Sequence, residues 1–293
     1  MSNILPLGFE NLKGASARKH FFILTKLINK FQAEGYDLFI PSLLEYSDSN
    51  LSNNEFKFVD PANNETINIR SDITQQIRTM AHNFAEKICY FGDVYYLQAE
   101  YQSHPRKLTQ VGFENFSEYS YERNISVFKL ILDALNLLRI EDLTLVISLP
   151  DLFKQISKEK NYSEDEISSL KKILTEKNIS KIKDSKFSDF SDLVIPNEQI
   201  DILDHELLKN YPDYVAEIKN MINDIKQISK SLKIIIDPFD CKHFKYHTNF
   251  AFTLYANKNA NVIARGGTFE MKNIKAIGSS LYVEEIMPLV KDV

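Results

Sequence analysis

Two neighbouring segments decide the fold of this chain: residues 89–100 read CYFGDVYYLQAE, and residues 105–114 read PRKLTQVGFE. The run over 88–99 is apolar and aromatic enough for a buried strand, and 108–116 has the pattern of a second strand. The polar loop between them contains Pro105, which is typical of a turn. Together the two segments predict a long antiparallel strand pair.

The sequence before this pair predicts a helix, a short strand and a hairpin. Apolar residues at helical spacing predict a helix over 17–31, and Gly35 suits its left-handed end. The residues that carry this spacing are Phe21, Leu24, Ile28 and Phe31. We expect a short strand over 38–40, ended by Pro41, and a hairpin-like segment over 55–69.

Residues 69–74, IRSDIT, predict the start of a second helix that runs over about 74–86. Ser71 or Asp72 can cap this helix, since both side chains accept hydrogen bonds from a first-turn N–H. A helix over 122–138 and a strand over 143–148 follow the central pair. The sequence thus predicts that a carboxylate lies at a helix start.

Composition changes after residue 150, where Lys, Glu, Ser and Asp become frequent and helical spacing appears in Val215, Ile218, Ile222 and Ile225. Strand patterns return in LKIIID (232–237), NFAFTLYAN (249–257) and VIARGG (262–267), and 279–289 predicts a final helix. We therefore expect an α+β fold, with an antiparallel sheet flanked by helices. The predicted domain comprises 1–149 and 231–293, and 150–230 is a helical insertion.

Charge and cysteine content exclude several functions. The formal net charge is -5 and the lysines are scattered, which argues against nucleic acid as a partner. Cys89 and Cys241 have neither zinc-site nor disulfide-framework spacing, so we expect no metal and a reducing, cytoplasmic location. No apolar run approaches the ~20 residues that span a bilayer, and we expect neither export nor a membrane partner.

The order of several motifs resembles the catalytic domain of histidyl-tRNA synthetases. The motifs are GYDLFIPSLLEY, IRSDIT, CYFGDVYYLQAE with PRKLTQVGFE, YHTN, IARGG and AIGSS. The resemblance implies a class II synthetase fold that dimerises through its first helix and strand. Taken alone, Gly266 and Gly267 indicate a bulge or turn more readily than a ligand site.

Three positions depart from that family where it carries phosphate-binding or catalytic arginines. The resemblance places Tyr96 at the arginine of the second class motif and Glu285 at the arginine of the third. Lys242, in KHFKYHTN, replaces the histidine-specific catalytic arginine. A phenol and a carboxylate cannot supply the fixed charge of a guanidinium, and a lysine lacks its bidentate fork. We therefore predict no catalytic residue and no cofactor.

Polar positions that hold histidine in the synthetases are largely kept. The resemblance assigns this pocket to Asp72, Thr74, Gln110, Glu114, Tyr246 and His247. Two carboxylates could meet an α-ammonium or an imidazolium group. The alternatives are that Asp72 is only a helix cap, that Glu114 is an edge charge, and that Tyr246 and His247 belong to a sheet surface or core.

The chain also resembles the regulatory subunits of ATP phosphoribosyltransferase, in LLEYSDS (43–49), CYFGDV (89–94) and TQVG (109–112). It stops at Val293, where a synthetase continues into an anticodon-binding domain. This resemblance implies a non-catalytic chain that activates a short-form catalytic subunit, makes it sensitive to histidine, and assembles with it as a hetero-oligomer. Two alternatives remain: a synthetase-like ligase without an anticodon domain that adenylates an amino acid, and a scaffold without a ligand.

Overall fold

The computed structural model describes residues 4–46, 55–80, 86–97, 105–198, 200–240, 246–256 and 261–291. The chain divides into two units. The first comprises Met1–Ser117, Ala134–Ile140 and Ser280–Val293, and the second comprises Glu118–Asp133 and Glu141–Ser279. The domain boundaries that the sequence predicts at 150 and 230 stay a prediction.

Helices and strands alternate along the described chain, with short 3-10 turns between α6 and α7. Up to residue 117 the elements are α1 (Ala15–Ala33), β1 (Asp37–Phe39), β2 (Leu44–Tyr46), β3 (Phe56–Val59), β4 (Thr66–Ile69), α2 (Ile73–Thr79), β5 (Lys87–Tyr95) and β6 (Lys107–Asn115). The later elements are α3 (Tyr121–Leu137), β7 (Leu143–Ser148), α4 (Pro150–Glu159), α5 (Glu164–Thr175), α6 (Ile179–Lys183), α7 (Pro212–Ile228), β8 (Lys233–Ile236), β9 (His247–Ala256), β10 (Asn261–Met271), β11 (Ile274–Tyr282) and α8 (Val283–Ile286).

The first unit contains the predicted antiparallel pair, which runs from Lys87 opposite Asn115 to Tyr95 opposite Lys107. Strand β1 lies beside β5 and runs parallel to it. The sheet is therefore mixed, whereas the sequence predicted an antiparallel sheet. The predicted hairpin over 55–69 is confirmed as β3 and β4, and with β2 it forms a three-stranded antiparallel sheet in the order β2-β4-β3.

Helix α1 packs on β5 and β6 through a stripe of buried apolar residues. Those residues are Ile23, Leu27, Ile28 and Phe31. Phe21 was predicted on this face, but it is 67% exposed. At about 100° per residue, Phe21 lies beside Ile28 on the helix circumference but roughly 80° or more from Ile23, Leu27 and Phe31, so it is at the exposed edge of the stripe. Gly35 has φ +82°, which confirms the left-handed helix end.

Helix α2 begins at the predicted cap but ends early. Asp72 is its N-cap, and its side chain accepts a hydrogen bond from the Thr74 N–H. The helix stops at Thr79, whose hydroxyl donates to the Gln76 carbonyl, and Met80 is extended. Met80 has ψ 143°, so the helical hydrogen-bond pattern cannot continue past it, and the predicted end near residue 86 is wrong. Residues 81–85 of that prediction lie outside the described ranges.

The second unit contains strands in the order β11-β10-β9-β7-β8, with β8 parallel to β7. Helix α4 packs on β9, and α7 buries the four residues whose spacing predicted it. The strand register shifts between Gly267 and Phe269, which confirms the predicted bulge. Gly267 has φ +148°, and a Cβ atom there would lie 2.6 Å from the Phe250 carbonyl oxygen. Only glycine fits this position without strain.

The C-terminal prediction was wrong in part. Residues 279–282 belong to β11, and only Val283–Ile286 are helical, as α8. Helical spacing and strand alternation are hard to separate over so short an apolar run. Cys89 is buried as a free thiol, and Cys241 lies outside the described residues. Within the described ranges, no helix combines the length and apolar character needed to cross a bilayer.

Candidate functional site

The side chains of Gln110 and Glu114 share one face of β6, because residues that are two or four apart along a strand point the same way. On β5, Gly92 pairs with Gln110, and Tyr90 pairs with Gly112. Gln110 is 2% exposed and Glu114 is 1% exposed. The strand register therefore places two buried polar side chains next to Tyr90.

The start of α2 meets this face of β6. The Oδ1 atom of Asp72 accepts a hydrogen bond from the Thr74 N–H at 3.0 Å. The hydroxyl of Thr74 donates to Oε1 of Glu114 at 2.7 Å, and the Ile73 N–H donates to Oε1 of Gln110 at 3.0 Å. The structure thus brings together four of the six predicted pocket residues within the first unit.

Tyr90 is a further member of this cluster. Its hydroxyl donates to Oε1 of Glu114 at 3.2 Å, and it lies 3.0 Å from Oγ1 of Thr74 and 2.8 Å from Oγ of Ser280. Burial raises the pKa of the Tyr90 phenol well above its ordinary value, and the nearby Glu114 adds to this shift. Tyr90 therefore stays a neutral donor that orients Glu114.

Glu114 is the electrostatic centre of the cluster. Burial and, to a smaller extent, the charge of Asp72 raise the pKa of its carboxyl, the bonds from Thr74 and Tyr90 lower it, and the resulting pKa is about 8. The folded chain consequently holds Glu114 mostly protonated at neutral pH. Its Oε2 atom has no hydrogen-bond partner among the residues that the structure describes. A small cation placed there would favour the carboxylate and give it a partner.

Further carboxylates surround the start of α2. Glu55 accepts hydrogen bonds from Nδ2 of Asn68 at 2.9 Å and from Oγ of Ser71 at 3.0 Å. Burial raises the pKa of Glu55. The pKa of Glu45 is raised to about 7, first by burial and then by the charge of Glu55, while Arg70 opposes the shift. This side of the unit is thus acidic, and it favours a positively charged group.

Arg70 fixes the backbone around these carboxylates. Its Nε atom donates to the Asp93 carbonyl at 2.9 Å, and its Nη1 atom donates to the carbonyls of Pro41 and Ser42, both at 2.8 Å. A Cβ atom at Gly92 would lie 2.0 Å from Nη2 of Arg70. Glycine at this position therefore leaves the space that the buried guanidinium occupies.

Tyr246 and His247 lie in the second unit. Their rings stack with centroids 4.5 Å apart, and Tyr246 also meets Phe269 edge-on. His247 is 6% exposed, and its backbone carbonyl accepts a hydrogen bond from Nζ of Lys154 at 3.3 Å. A Cβ atom at Gly267 would lie 2.7 Å from Cδ2 of His247. Both rings therefore contact residues of their own unit, and their predicted role in the pocket stays a prediction.

Two of the three replaced arginine positions can be described. The backbone of Tyr96 pairs with Arg106: its N–H donates to the Arg106 carbonyl at 2.8 Å, and its carbonyl accepts from Arg106 Nε at 3.1 Å. The Arg106 guanidinium lies over the rings of Phe9 and Phe56. Glu285 is 7% exposed in α8. Lys242 lies outside the described residues.

Sequence reasoning missed four members of the site: Tyr90, Ser280, Glu45 and Glu55. The alternation Ile88, Tyr90, Gly92 on β5 could have identified Tyr90, because these residues pair with the face of β6 that carries Gln110 and Glu114. No local pattern marks the other three. Among the described residues, no group of three or more His, Cys, Asp or Glu side chains could hold a metal ion. The carboxylates of this cluster have the chemistry that would suit a small ligand with a positive charge.

Comparisons with known proteins agree with this geometry. The family profile described as histidyl-tRNA synthetase matches residues 8–286. A curated protein of Saccharophagus degradans, named ATP phosphoribosyltransferase regulatory subunit, is 26% identical over 91% of this chain and 75% of its own length. A protein of the same name from Burkholderia cenocepacia is 25% identical with the same coverage. The predicted resemblance to these subunits is therefore confirmed.

Solved structures confirm the predicted class II fold. An ATP phosphoribosyltransferase regulatory subunit/histidyl-tRNA synthetase of Bacillus halodurans superimposes with a TM-score of 0.84 at 18% identity, covering 100% of this chain and 84% of that one. A chain of the ATP phosphoribosyl transferase complex of Thermotoga maritima gives a TM-score of 0.70 at 17% identity, with 90% and 97% covered. At these identities the likeness establishes the fold.

Proposed function

Because the chain belongs to the histidyl-tRNA synthetase family, and its curated relatives are named ATP phosphoribosyltransferase regulatory subunits, we propose that it is such a regulatory subunit. In this role it performs no chemistry. It binds a short-form catalytic subunit, activates it, and contributes to inhibition by histidine in the first step of histidine biosynthesis. The observation that carries the proposal is the relatives' shared name over 91% of the chain.

The buried cluster supports histidine as the ligand. Histidine carries an α-ammonium group at neutral pH, and Glu114 is a buried acid whose Oε2 atom has no bond within the described ranges. Asp72 places a second carboxylate at the same helix start. A charge-assisted hydrogen bond between an ammonium group and a carboxylate is stronger than a hydrogen bond between neutral groups. Tyr246 and His247, which complete the pocket by resemblance, stay proposals for this role.

The replaced arginine positions support a role without adenylation. Stabilising a triphosphate and the charge that develops during acyl transfer requires fixed positive groups. Tyr96 carries no charge, and Glu285 would repel a phosphate. A binding role needs neither arginine, so the loss of both is compatible with regulation.

Enzyme kinetics with the organism's own short catalytic subunit test the proposal. We expect that this chain raises the rate of phosphoribosyl-ATP formation and that histidine reverses the increase. Glu114→Gln should keep the stimulation but weaken the effect of histidine, whereas Glu65→Gln, which changes an exposed carboxylate, should alter neither. A rate that does not change when the chain is added, with or without histidine, would refute the regulatory role.

A second candidate follows from the family itself. The matching profile is that of a synthetase, and a retained amino-acid pocket would also serve a ligase that adenylates an amino acid. Such an enzyme must exchange pyrophosphate into ATP when its amino acid is present. Exchange above background would favour the ligase, and its absence together with stimulation of the catalytic subunit would favour regulation.

A further inference from the structure

Two buried hydrogen-bond acceptors of the first unit have no donor among the residues that the structure describes. They are the Oε2 atom of Glu114, in a residue that is 1% exposed, and the Oδ1 atom of Asn68, in a residue that is 0% exposed. A buried acceptor without a donor costs free energy, because water satisfies it in the unfolded chain. A protonated carboxyl group or a bound ligand can supply the missing donor in each place.

Glu45 is in position to supply the donor for Asn68. The two residues pair directly between β2 and β4, so their side chains share one face of the sheet, with Cβ atoms about 4.5–5.5 Å apart. The Nδ2 atom of Asn68 already donates to Oε2 of Glu55 at 2.9 Å. A Glu45 carboxyl that keeps its proton can donate to the remaining Oδ1 atom. The raised pKa of Glu45, about 7, agrees with a proton on this carboxyl for about half of the time at neutral pH.

Glu114 keeps a proton for a similar reason. Its Oε1 atom accepts the hydrogen bonds from Thr74 and Tyr90, whereas Oε2 has no donor within the described ranges. Protonation of Oε2 removes a buried charge. With a pKa of about 8, this carboxyl is mostly protonated at pH 7. Two acids of the unit thus hold protons that a positively charged ligand would displace.

The charged and titratable groups that act on these two acids are mainly acidic. Among the described residues they are Asp72 at the start of α2, Tyr90 on β5, Glu55 before β3, and Arg70 after β4. Arg70 directs its Nε and Nη1 atoms to backbone carbonyls. Asp72 raises the pKa of both Glu45 and Glu114. A cationic group near Asp72 would therefore favour the charged form of both carboxyls.

We infer that the cluster around Asp72 exchanges protons for a cationic ligand, so that histidine releases protons from Glu114 and Glu45 when it binds. This inference rests on the proposed function, in which histidine is the ligand. On binding, the carboxyl O–H bond breaks, the proton passes to the solvent, and the positive charge of the ligand takes the place of the proton. Because protons compete with the ligand, the Kd for histidine should fall as pH rises from 6.5 to 7.5, by up to about tenfold for each proton released. Inhibition by histidine is then stronger at higher pH.

Isothermal titration calorimetry of the full chain with histidine counts these protons. Titrations at pH 7.0 in buffers with different enthalpies of ionisation give the number of protons released per histidine bound, from the slope of the measured heat against the buffer enthalpy. A carboxyl with a pKa of about 8 is about 0.9 protonated at this pH, and one with a pKa of about 7 is about half protonated. We therefore expect the wild-type chain to release about one proton or slightly more.

Glutamine variants assign the released protons to residues. Glu114→Gln keeps the size of the side chain and cannot titrate, so the count should fall by about 0.9, and Glu45→Gln should lower it by about 0.5. Glu65→Gln, at an exposed position, should leave the count unchanged. If Glu114→Gln binds histidine too weakly for calorimetry, the wild-type Kd at pH 6.5 and 7.5 decides instead.

Binding of histidine without proton release would overturn the inference, and so would a wild-type Kd that is the same at pH 6.5 and 7.5. A chain that binds no histidine would overturn it as well. None of these results bears on whether the chain raises the rate of the catalytic subunit, so the regulatory role is judged separately. Loss of that stimulation alone would refute the proposed function and leave the proton count valid.

Discussion

Two parts of the first unit differ in how much they keep of what a synthetase requires. Around Glu114, the polar side chains that could hold an amino acid take part in hydrogen bonds of 2.7–3.2 Å, and all but the half-buried Asp72 are almost completely buried. At the positions that the synthetase resemblance assigns to phosphate-binding arginines, the chain has Tyr96 and Glu285. Binding an amino acid and activating it depend on different residues, so a fold can keep the first capacity while it loses the second.

The largest effect is expected from Gly92→Ala, which adds a methyl group to β5 at the position that pairs with Gln110. The new Cβ atom would lie 2.0 Å from Nη2 of Arg70. That guanidinium cannot move aside without breaking its bonds to the carbonyls of Pro41, Ser42 and Asp93. We expect a loss of about 3 kcal/mol in the free energy of unfolding, measured by urea denaturation.

Gly35→Asn is the control for this substitution. Gly35 has φ +82° at the left-handed end of α1, where asparagine is tolerated, and no atom lies within 4 Å of its added Cβ. Its free energy of unfolding should change by less than about 1 kcal/mol. Equal losses at the two positions would mean that Arg70 is not held as the hydrogen bonds indicate.

The next effect concerns affinity for histidine, measured by calorimetry. Glu114→Gln keeps the size of the side chain but removes the negative charge that would meet the ligand's ammonium group. We expect the Kd for histidine to rise by about 30-fold or more, or about 2 kcal/mol. Glu65→Gln, at an exposed position, should leave it unchanged. An unaltered Kd for Glu114→Gln would place histidine elsewhere in the complex.

The raised pKa of Glu114 predicts how stability depends on pH. Its ordinary value is 4.5 and its folded value is about 8. Between these values the folded chain binds a proton that the unfolded chain has lost, so the free energy of unfolding falls as pH rises, by up to about 1.4 kcal/mol per pH unit. Glu45, whose pKa is about 7, contributes in the same direction.

Urea denaturation of the wild-type chain and of Glu114→Gln between pH 5 and 8 isolates the contribution of Glu114. The difference in stability should grow in favour of the glutamine variant as pH rises, because glutamine does not titrate. A difference that is constant across this range would mean that Glu114 is already charged in the folded chain. In that case the buried cluster around Glu114 would hold a permanent anion.

The sequence predicted the strands and the helix start that position this site better than it predicted the carboxylates around them. The pair β5–β6 and the cap at Asp72 depend on local patterns and are confirmed. Glu45 and Glu55 could not be found in this way, because their roles arise when β2, β3 and β4 meet the start of α2. The early end of α2 at Thr79 was also missed, because Met80 turns to an extended conformation without a glycine or proline nearby that would mark the end.

The smallest effect is expected from Tyr96→Arg, at a position that the resemblance assigns to a phosphate-binding arginine. The bonds that Tyr96 makes with Arg106 use its backbone N–H and carbonyl, so the substitution keeps them and should change the free energy of unfolding by less than about 0.5 kcal/mol. Histidine affinity should stay within about threefold, because the hydrogen bonds described around Glu114 are made by other residues. Pyrophosphate exchange into ATP should remain at background, since one guanidinium cannot balance a triphosphate while Glu285 keeps a carboxylate at the arginine position of the third motif. If this single change produced exchange that depends on an amino acid, only one substitution would separate the phosphate-binding positions from activity. The phosphate-binding positions and the cluster around Glu114 would then differ far less in retained function than their sequences indicate.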